Sequence, residues 1–307
     1  MDGLLIVDKP AGPTSHDVVA RVRRALGEPR VGHTGTLDPA ASGVLPLVLG
    51  RATRLAQFLS QSDKVYEATI TLGVSTDTCD ALGQPIGEPY DGPFPAIDAI
   101  DRALEAFRGS FSQQPPAFSA KKVDGRRSYK NARAQRRTPP GPALPGPLAL
   151  PAPVTVTAHA IEILGVDERR VMLRVHCSAG FYVRALAHDL GERLGTGGHL
   201  TSLRRTRSGQ ADLERAVGLA EVEREPGSAM SMVVPPAEML PDLPSLILTP
   251  EGRARAIHGQ DLGPSDAVRS SGEIARLVRL LDAAGDLVAI AEAGRSPGFL
   301  HPFVVLK

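Results

Sequence analysis

Apolar residues recur along this chain with two different periods. The run from Leu4 to Val7, closed by Asp8-Lys9-Pro10 and Gly12-Pro13, predicts a short strand. Thr14 or Ser15 then caps a helix whose stripe is Val18, Val19, Val22 and Leu26, and Gly27 stops it. A strand over 45–49 leads to a helix near 51–59. Between 65 and 74 the chain alternates: Tyr66, Ala68, Ile70 and Leu72 share one face, and Glu67, Thr69 and Thr71 take the other. Ile97, Ile100, Leu104 and Phe107 mark an amphipathic helix. Residues 154–164 and 171–177 read as strands, and Val183, Leu186, Ala187, Leu190 and Leu194 as a helix ended by Gly195. A stretch rich in Pro, Met and small residues at 225–245 is the best domain boundary. The tail beyond it reads as a strand, a helix begun by Thr249-Pro250 and ended by Gly259, and three strands at 274–281, 287–291 and 302–306. No internal repeat interrupts this order.

Length and charge narrow the choice of function. The 307 residues, 42% of them hydrophobic, suit two domains, or one large domain with an appendage, around a packed core. The net charge is only +1, so a nucleic-acid surface has to come from local segregation of charge. Such a segment exists. Lys121, Lys122, Arg126, Arg127, Lys130, Arg133, Arg136 and Arg137 face a single acid, Asp124, and a Pro-rich connector over 138–153 follows. A charge run is more often a solvated face, but the scarcity of acids and the adjoining Tyr129 favour RNA. Two cysteines, Cys79 and Cys177, are too few for a disulfide framework or a four-ligand zinc site, and fit a reducing cytoplasm. The acidic start and its short apolar stretch do not read as a signal peptide, and no apolar run nears the roughly 20 residues that span a bilayer.

The candidate chemistry lies in Gly32-His-Thr-Gly-Thr-Leu-Asp-Pro-Ala-Ala-Ser-Gly-Val-Leu45, where Asp38 is held between a Gly/Thr-rich bend and the pair Pro39 and Gly43, beside an apolar strand. A carboxylate so fixed suits a nucleophile or general base. Local chemistry alone favours the plainer role of an Asx-turn. Three further segments matter: Lys64-Val-Tyr-Glu through Thr76-Asp-Thr-Cys-Asp80; Phe181-Tyr-Val-Arg184 with Asp189-Leu-Gly191; and Gly198-His-Leu-Thr-Ser-Leu-Arg-Arg-Thr-Arg-Ser-Gly209. Ser119-Ala-Lys-Lys122 matches the S-x-x-K string of penicillin-binding enzymes, but neither companion motif is present. Cys79 has a polar neighbourhood without a motif and reads as a structural thiol.

In order and spacing these four segments, with the opening Gly3–Pro10 and Pro115–Lys122, resemble the TruB family of tRNA pseudouridine-55 synthases across about residues 3–210. Ser42 stands where many relatives have Thr, and the Pro-rich connector looks longer than usual. The resemblance implies an α+β pseudouridine synthase fold with a mixed, mainly antiparallel central sheet over 1–235, carrying a basic RNA-binding insertion at about 115–150. It also implies a small PUA-like β-barrel over 245–307. The implied reaction isomerises uridine to pseudouridine at position 55 in the T-loop of tRNA. Only protons enter or leave, so neither cofactor nor metal is required.

By the same resemblance Asp38 is the nucleophile, acting on the base, on the sugar, or through elimination. Arg184 is the cation that keeps it ionised, since burial alone would neutralise a carboxylate. Tyr66 stacks on the target base, with a proton relay from the sugar as a further option. His33 helps displace the flipped nucleotide, and Asp80 contacts it or merely caps the turn before Gly83. Extrusion of the base costs a few kcal/mol. Lys9, Lys121, Arg126, Arg127, Lys130, Arg204 and Arg205 are expected to bind substrate and supply compensating contacts. The expected partner is tRNA, through its T-arm and, by the tail, its acceptor stem, with no obligate protein partner and no membrane. Two alternatives stay open: a synthase acting on another RNA, such as a guide-directed enzyme, and a tRNA-folding chaperone without catalysis.

Overall fold

The computed structural model describes residues 1–119, 121–123, 125–137, 150–271 and 276–306. The chain divides into two compact units, one formed by Met1–Gln61 with Gln210–Lys307 and the other by Ser62–Gly209.

In the first unit the opening strand, Gly3–Lys9, pairs antiparallel with Ser42–Leu49 from Gly3↔Leu49 to Lys9↔Gly43. Val31–His33 adds to Ser42–Leu49 antiparallel, and Val217–Gly218 lies parallel to the opening strand. Gly43 has φ 102°, a conformation that only glycine adopts without strain, and it releases the chain from the Asp38 loop into its strand. The intervening helix, Ser15–Leu26, has a capping box: Thr14 Oγ1 accepts from the Asp17 N–H, and the Thr14 N–H donates back to the Asp17 carboxylate. Val18, Val19, Val22 and Leu26 are all buried, as the stripe requires. The helix expected near 51–59 is a 3-10 turn, Gly50–Leu55, running into the short helix Ala56–Ser60.

The tail belongs to the same unit. Its five-stranded sheet runs in the order Ala267–Ser271, Ser245–Leu248, Leu277–Leu281, Leu287–Ala293, Leu300–Val305, with one parallel pair, Ser245–Leu248 on Leu277–Leu281. Four strands therefore follow the helix Pro250–Ala256 rather than three. The missed one, Ala-Val-Arg-Ser-Ser, has too little apolar alternation to stand out. The order is an open path, and no pairing of its two end strands closes it into a barrel among the described residues. Met239, Leu287, Ile290, Val304 and Leu306 share a core with Leu4, Ile6, Val44, Val48 and Leu55. The stretch at 225–245 is itself tied down, because Val234 and Leu4 exchange both backbone hydrogen bonds at 2.9 Å.

The second unit is an antiparallel sheet in the order Gly198–Ser208, Lys64–Leu72, Arg170–Cys177, Val154–Asp167, Gly109–Gln113. Ala68, Ile70 and Leu72 are buried on one face with Leu173, Val175, Leu186 and Leu190, and Tyr66 packs partly buried against them. The helices Ile97–Leu104 and Val183–Leu194 are amphipathic, but Ile97 is 50% exposed and the buried stripe begins at Ile100. The basic segment forms a hairpin, Lys122–Val123 with Arg126–Arg127, and then a helix, Ser128–Arg137. Most of the Pro-rich connector, 138–149, lies outside the described residues. Among the described residues no helix is long and apolar enough to cross a membrane.

Candidate active site

The first unit carries Lys9, His33 and Asp38, and the second carries the remaining expected site residues. Asp38 is half-buried in a turn closed by the Ala41 N–H on the Asp38 carbonyl, at 3.1 Å. The turn is pinned on both sides of the carboxylate. Before it, Ser15 Oγ donates to the Leu37 carbonyl at 3.0 Å and accepts from the Leu37 N–H at 2.9 Å. After it, the Gly12 N–H donates to the Pro39 carbonyl at 2.8 Å, and Lys9 Nζ donates to Pro39 at 3.2 Å and Ala41 at 2.6 Å. Lys9 Nζ also donates to the Pro10 carbonyl at 2.9 Å, and its side chain is fully buried. Lys9 was expected to touch substrate; here its ammonium is turned onto main-chain carbonyls that fix the Asp38 loop. A buried cation without such acceptors would be costly, so the clasp and the loop conformation depend on each other.

His33 ends its strand half-buried, its ring edge-on to His16 with centroids 5.4 Å apart. Thr34 follows it, 1% exposed, and its Oγ1 has no hydrogen-bond partner among the described residues. A buried hydroxyl left unpaired costs about 1–3 kcal/mol, and a polar ligand could satisfy it. Sequence reasoning passed over Thr34 although it lies inside the motif. It passed over Ser15 because a helix-start hydroxyl reads as a cap; the cap is Thr14, which frees Ser15 for the loop.

In the second unit Arg184 sits in the first turn of its helix, only 5% exposed. A cation there opposes the helix dipole and needs other partners. Its Nη1 donates to the Thr78 carbonyl at 3.0 Å, Nη2 to the Phe118 carbonyl at 2.9 Å, and Nε lies 3.8 Å from Asp80 Oδ2. Asp80 also caps its own turn: Oδ1 accepts from Thr78 Oγ1 at 2.6 Å and from the Leu82 N–H at 3.0 Å. Arg184 and Asp80 are thus brought together, and the capping role of Asp80 is present beside that contact. Cys79, between Thr78 and Asp80 in this turn, has its thiol pushed up to about 11 by burial, which keeps it protonated and inert.

Lys121, Arg126 and Lys130 are exposed, as a contact surface for phosphates needs, and Arg204 is half-buried. Arg205 differs from expectation. It is 1% exposed, because the alternation of its strand turns it inward beside Lys64. Of the Arg127 side chain nothing is described.

Burial, with the Arg205 charge beside it, lowers the Lys64 ammonium from 10.5 to about 8. Between those values the unfolded chain holds a proton that the folded chain has lost, so stability rises with pH through that window. The buried thiols act oppositely from about pH 9 upward, since burial raises Cys79 to about 11 and Cys177 to about 12. The protein is therefore expected to gain about 1 kcal/mol between pH 8 and 9 relative to Lys64→Met, read from urea unfolding. Parallel curves for the two proteins would refute the assignment.

Two family models match the chain. One, described as the TruB family pseudouridylate synthase N terminal domain, covers residues 23–183; the other, the tRNA pseudouridylate synthase B C-terminal domain, covers 184–240. The chain is 42% identical to the tRNA pseudouridine synthase B of Solibacter usitatus (strain Ellin6076), over 100% of both proteins. It is 45% identical to that of Thermobifida fusca (strain YX), over 86% of this chain and 87% of the relative. Among solved structures it is similar to a Cbf5-Nop10-Gar1 complex, with TM-score 0.69 and 31% identity over 95% of this chain and 78% of the other. It is also similar to an H/ACA RNP bound to a substrate RNA containing 2'-deoxyuridine, with TM-score 0.72 and 27% identity over 99% and 85%.

Proposed function

Because this chain belongs to the TruB family of pseudouridylate synthases, we propose that it isomerises uridine to pseudouridine at position 55, in the T-loop of tRNA. The observation that carries the reading is the Asp38 turn, pinned through Leu37 by Ser15 and through Pro39 and Ala41 by Lys9. Such anchoring holds the carboxylate in one direction, which a reacting group requires. In the proposed reaction the target uridine leaves its stack, and Asp38 acts as nucleophile toward the base or the sugar. The bond from N1 to carbon 1′ breaks, the uracil turns, carbon 5 bonds to carbon 1′, the bond made by Asp38 is released, and carbon 5 gives up its hydrogen as a proton while N1 takes one up from solvent.

The remaining roles rest on the family resemblance. Arg184 is the cation that serves the nucleophile, Tyr66 stacks on the uracil, and His33 and Asp80 hold the displaced nucleotide. Lys121, Arg126, Arg127, Lys130 and Arg204 grip the flanking backbone. The exposure of Lys121, Arg126 and Lys130 supports that last assignment. Residues 1–235 are proposed as the catalytic domain and 245–307 as a PUA-like RNA-binding module for the acceptor stem; the separate five-stranded sheet of the tail supports it. Two free cysteines and a tRNA substrate favour the cytoplasm.

The deciding experiment is tritium release from carbon-5-labelled uridine in a bare T-arm hairpin. Turnover without guide RNA or protein partner is expected. A requirement for either would instead favour the guide-directed reading, which the likeness to the Cbf5 complexes keeps in view. Neutralising Arg126, Arg127 and Lys130 together is expected to lower affinity and flatten its salt dependence, by about one unit of log–log slope per lost phosphate contact. An unchanged slope in filter-binding titrations would remove the basic segment from the interface.

A further inference from the structure

Asp63, His159 and His176 lie on the second unit and have no part in the reaction above. Asp63 immediately precedes the strand Lys64–Leu72, while His159 and His176 stand on Val154–Asp167 and Arg170–Cys177. His159 Nε2 is 3.2 Å and His176 Nε2 3.8 Å from the same oxygen, Asp63 Oδ2. The three donor atoms all fall within 4.8 Å of one another, and the two imidazole centroids are 4.8 Å apart.

The backbone explains this convergence. Ala158 pairs with Cys177 and Ala160 with His176, so His159 is the extra residue of a β-bulge. A bulge re-aims a side chain that regular pleating would send elsewhere. Asp63 is fixed from the other side, because its carbonyl accepts the Gly209 N–H at 2.8 Å. Side chains that met only as a surface ion pair would need no such device, and exposed pairs contribute little to stability.

We infer that Asp63, His159 and His176 form a binding site for a borderline divalent transition-metal cation of the zinc class. Two imidazoles and a carboxylate are the donor set such ions select. Ligand atoms about 2.0–2.2 Å from zinc in tetrahedral array stand roughly 3.3 Å apart, so closing the widest separation takes only a small rotation of side chains that are a third or more exposed. Water completes the coordination. The ion ties the start of the Lys64–Leu72 strand to the hairpin behind it.

The test uses the full, untagged chain with the metal alone. Cobalt(II) titration is expected to give one saturable equivalent with a visible absorption band, displaced by zinc in calorimetry. His159→Gln and Asp63→Asn are each expected to weaken binding at least tenfold. Both variants should melt like the unsubstituted protein without metal and lose the zinc-dependent rise in melting temperature. No saturable equivalent, or binding that neither substitution weakens, as ions captured by the neighbouring rings of His16 and His33 would give, overturns the site.

Discussion

Asp38→Asn is expected to abolish tritium release from the target uridine, lowering turnover by at least about four orders of magnitude, while tRNA affinity stays within a few-fold. The substitution keeps shape and removes chemistry. The contacts that Ser15, Lys9 and Gly12 make to the turn run through main-chain atoms of Leu37, Pro39 and Ala41, as does the bond from Ala41 to the Asp38 carbonyl, and Asn leaves these intact. An amide, by contrast, is no nucleophile toward a ring carbon or an anomeric centre at neutral pH. A loss of about four orders corresponds to about 5.5 kcal/mol of transition-state stabilisation, more than any single grip on the phosphates supplies. Affinity is governed mainly by contacts to the nucleic-acid backbone, which this change does not touch. Single-turnover assays beside filter binding separate the two quantities. Turnover near that of the unsubstituted protein would end the assignment of Asp38, and a parallel fall in binding would make it a residue of recognition instead.

Much of this fold was legible because burial imposes periods on the chain. The stripe of Val18, Val19, Val22 and Leu26 and the alternation of Ala68, Ile70 and Leu72 each report a buried face, and the structure buries each one. Ala267–Ser271 escaped notice because a short strand with two serines has no such signature. The candidate site was legible in a different way. The spacing of the motifs marked Asp38 and Arg184, yet it did not reveal what holds them. Lys9 was expected to bind substrate and Arg205 to grip the RNA backbone, but charge in a sequence says nothing about which way a side chain points. Both are buried, Lys9 on the carbonyls of Pro10, Pro39 and Ala41 and Arg205 beside Lys64. Ser15 was hidden for a related reason: its value comes from Leu37, a residue distant in sequence, and only the packing of the helix start brings them together.

Arg184 offers the second large effect, because its partners separate structure from chemistry. Its described partners include the Thr78 carbonyl, the Phe118 carbonyl and the Asp80 carboxylate. Arg184→Met strands these groups and is expected to destabilise the protein by about 3–5 kcal/mol, the usual result of deleting one member of a buried charged pair. That variant alone would therefore say little about catalysis. Arg184→Lys keeps the charge, but one ammonium cannot reproduce a planar fork reaching two carbonyls at once. It should fold at a cost of about 1–2 kcal/mol. Its turnover is expected to fall about a hundredfold, read in single-turnover assays at saturating enzyme. The direction follows from the role proposed: a point charge on a flexible stem positions less well than a planar guanidinium fork. A purely structural arginine would lower stability while the turnover of the folded protein stayed unchanged. If Arg184→Lys turns over like the unsubstituted protein once folded, the guanidinium serves the Thr78–Asp80 turn and not the reaction.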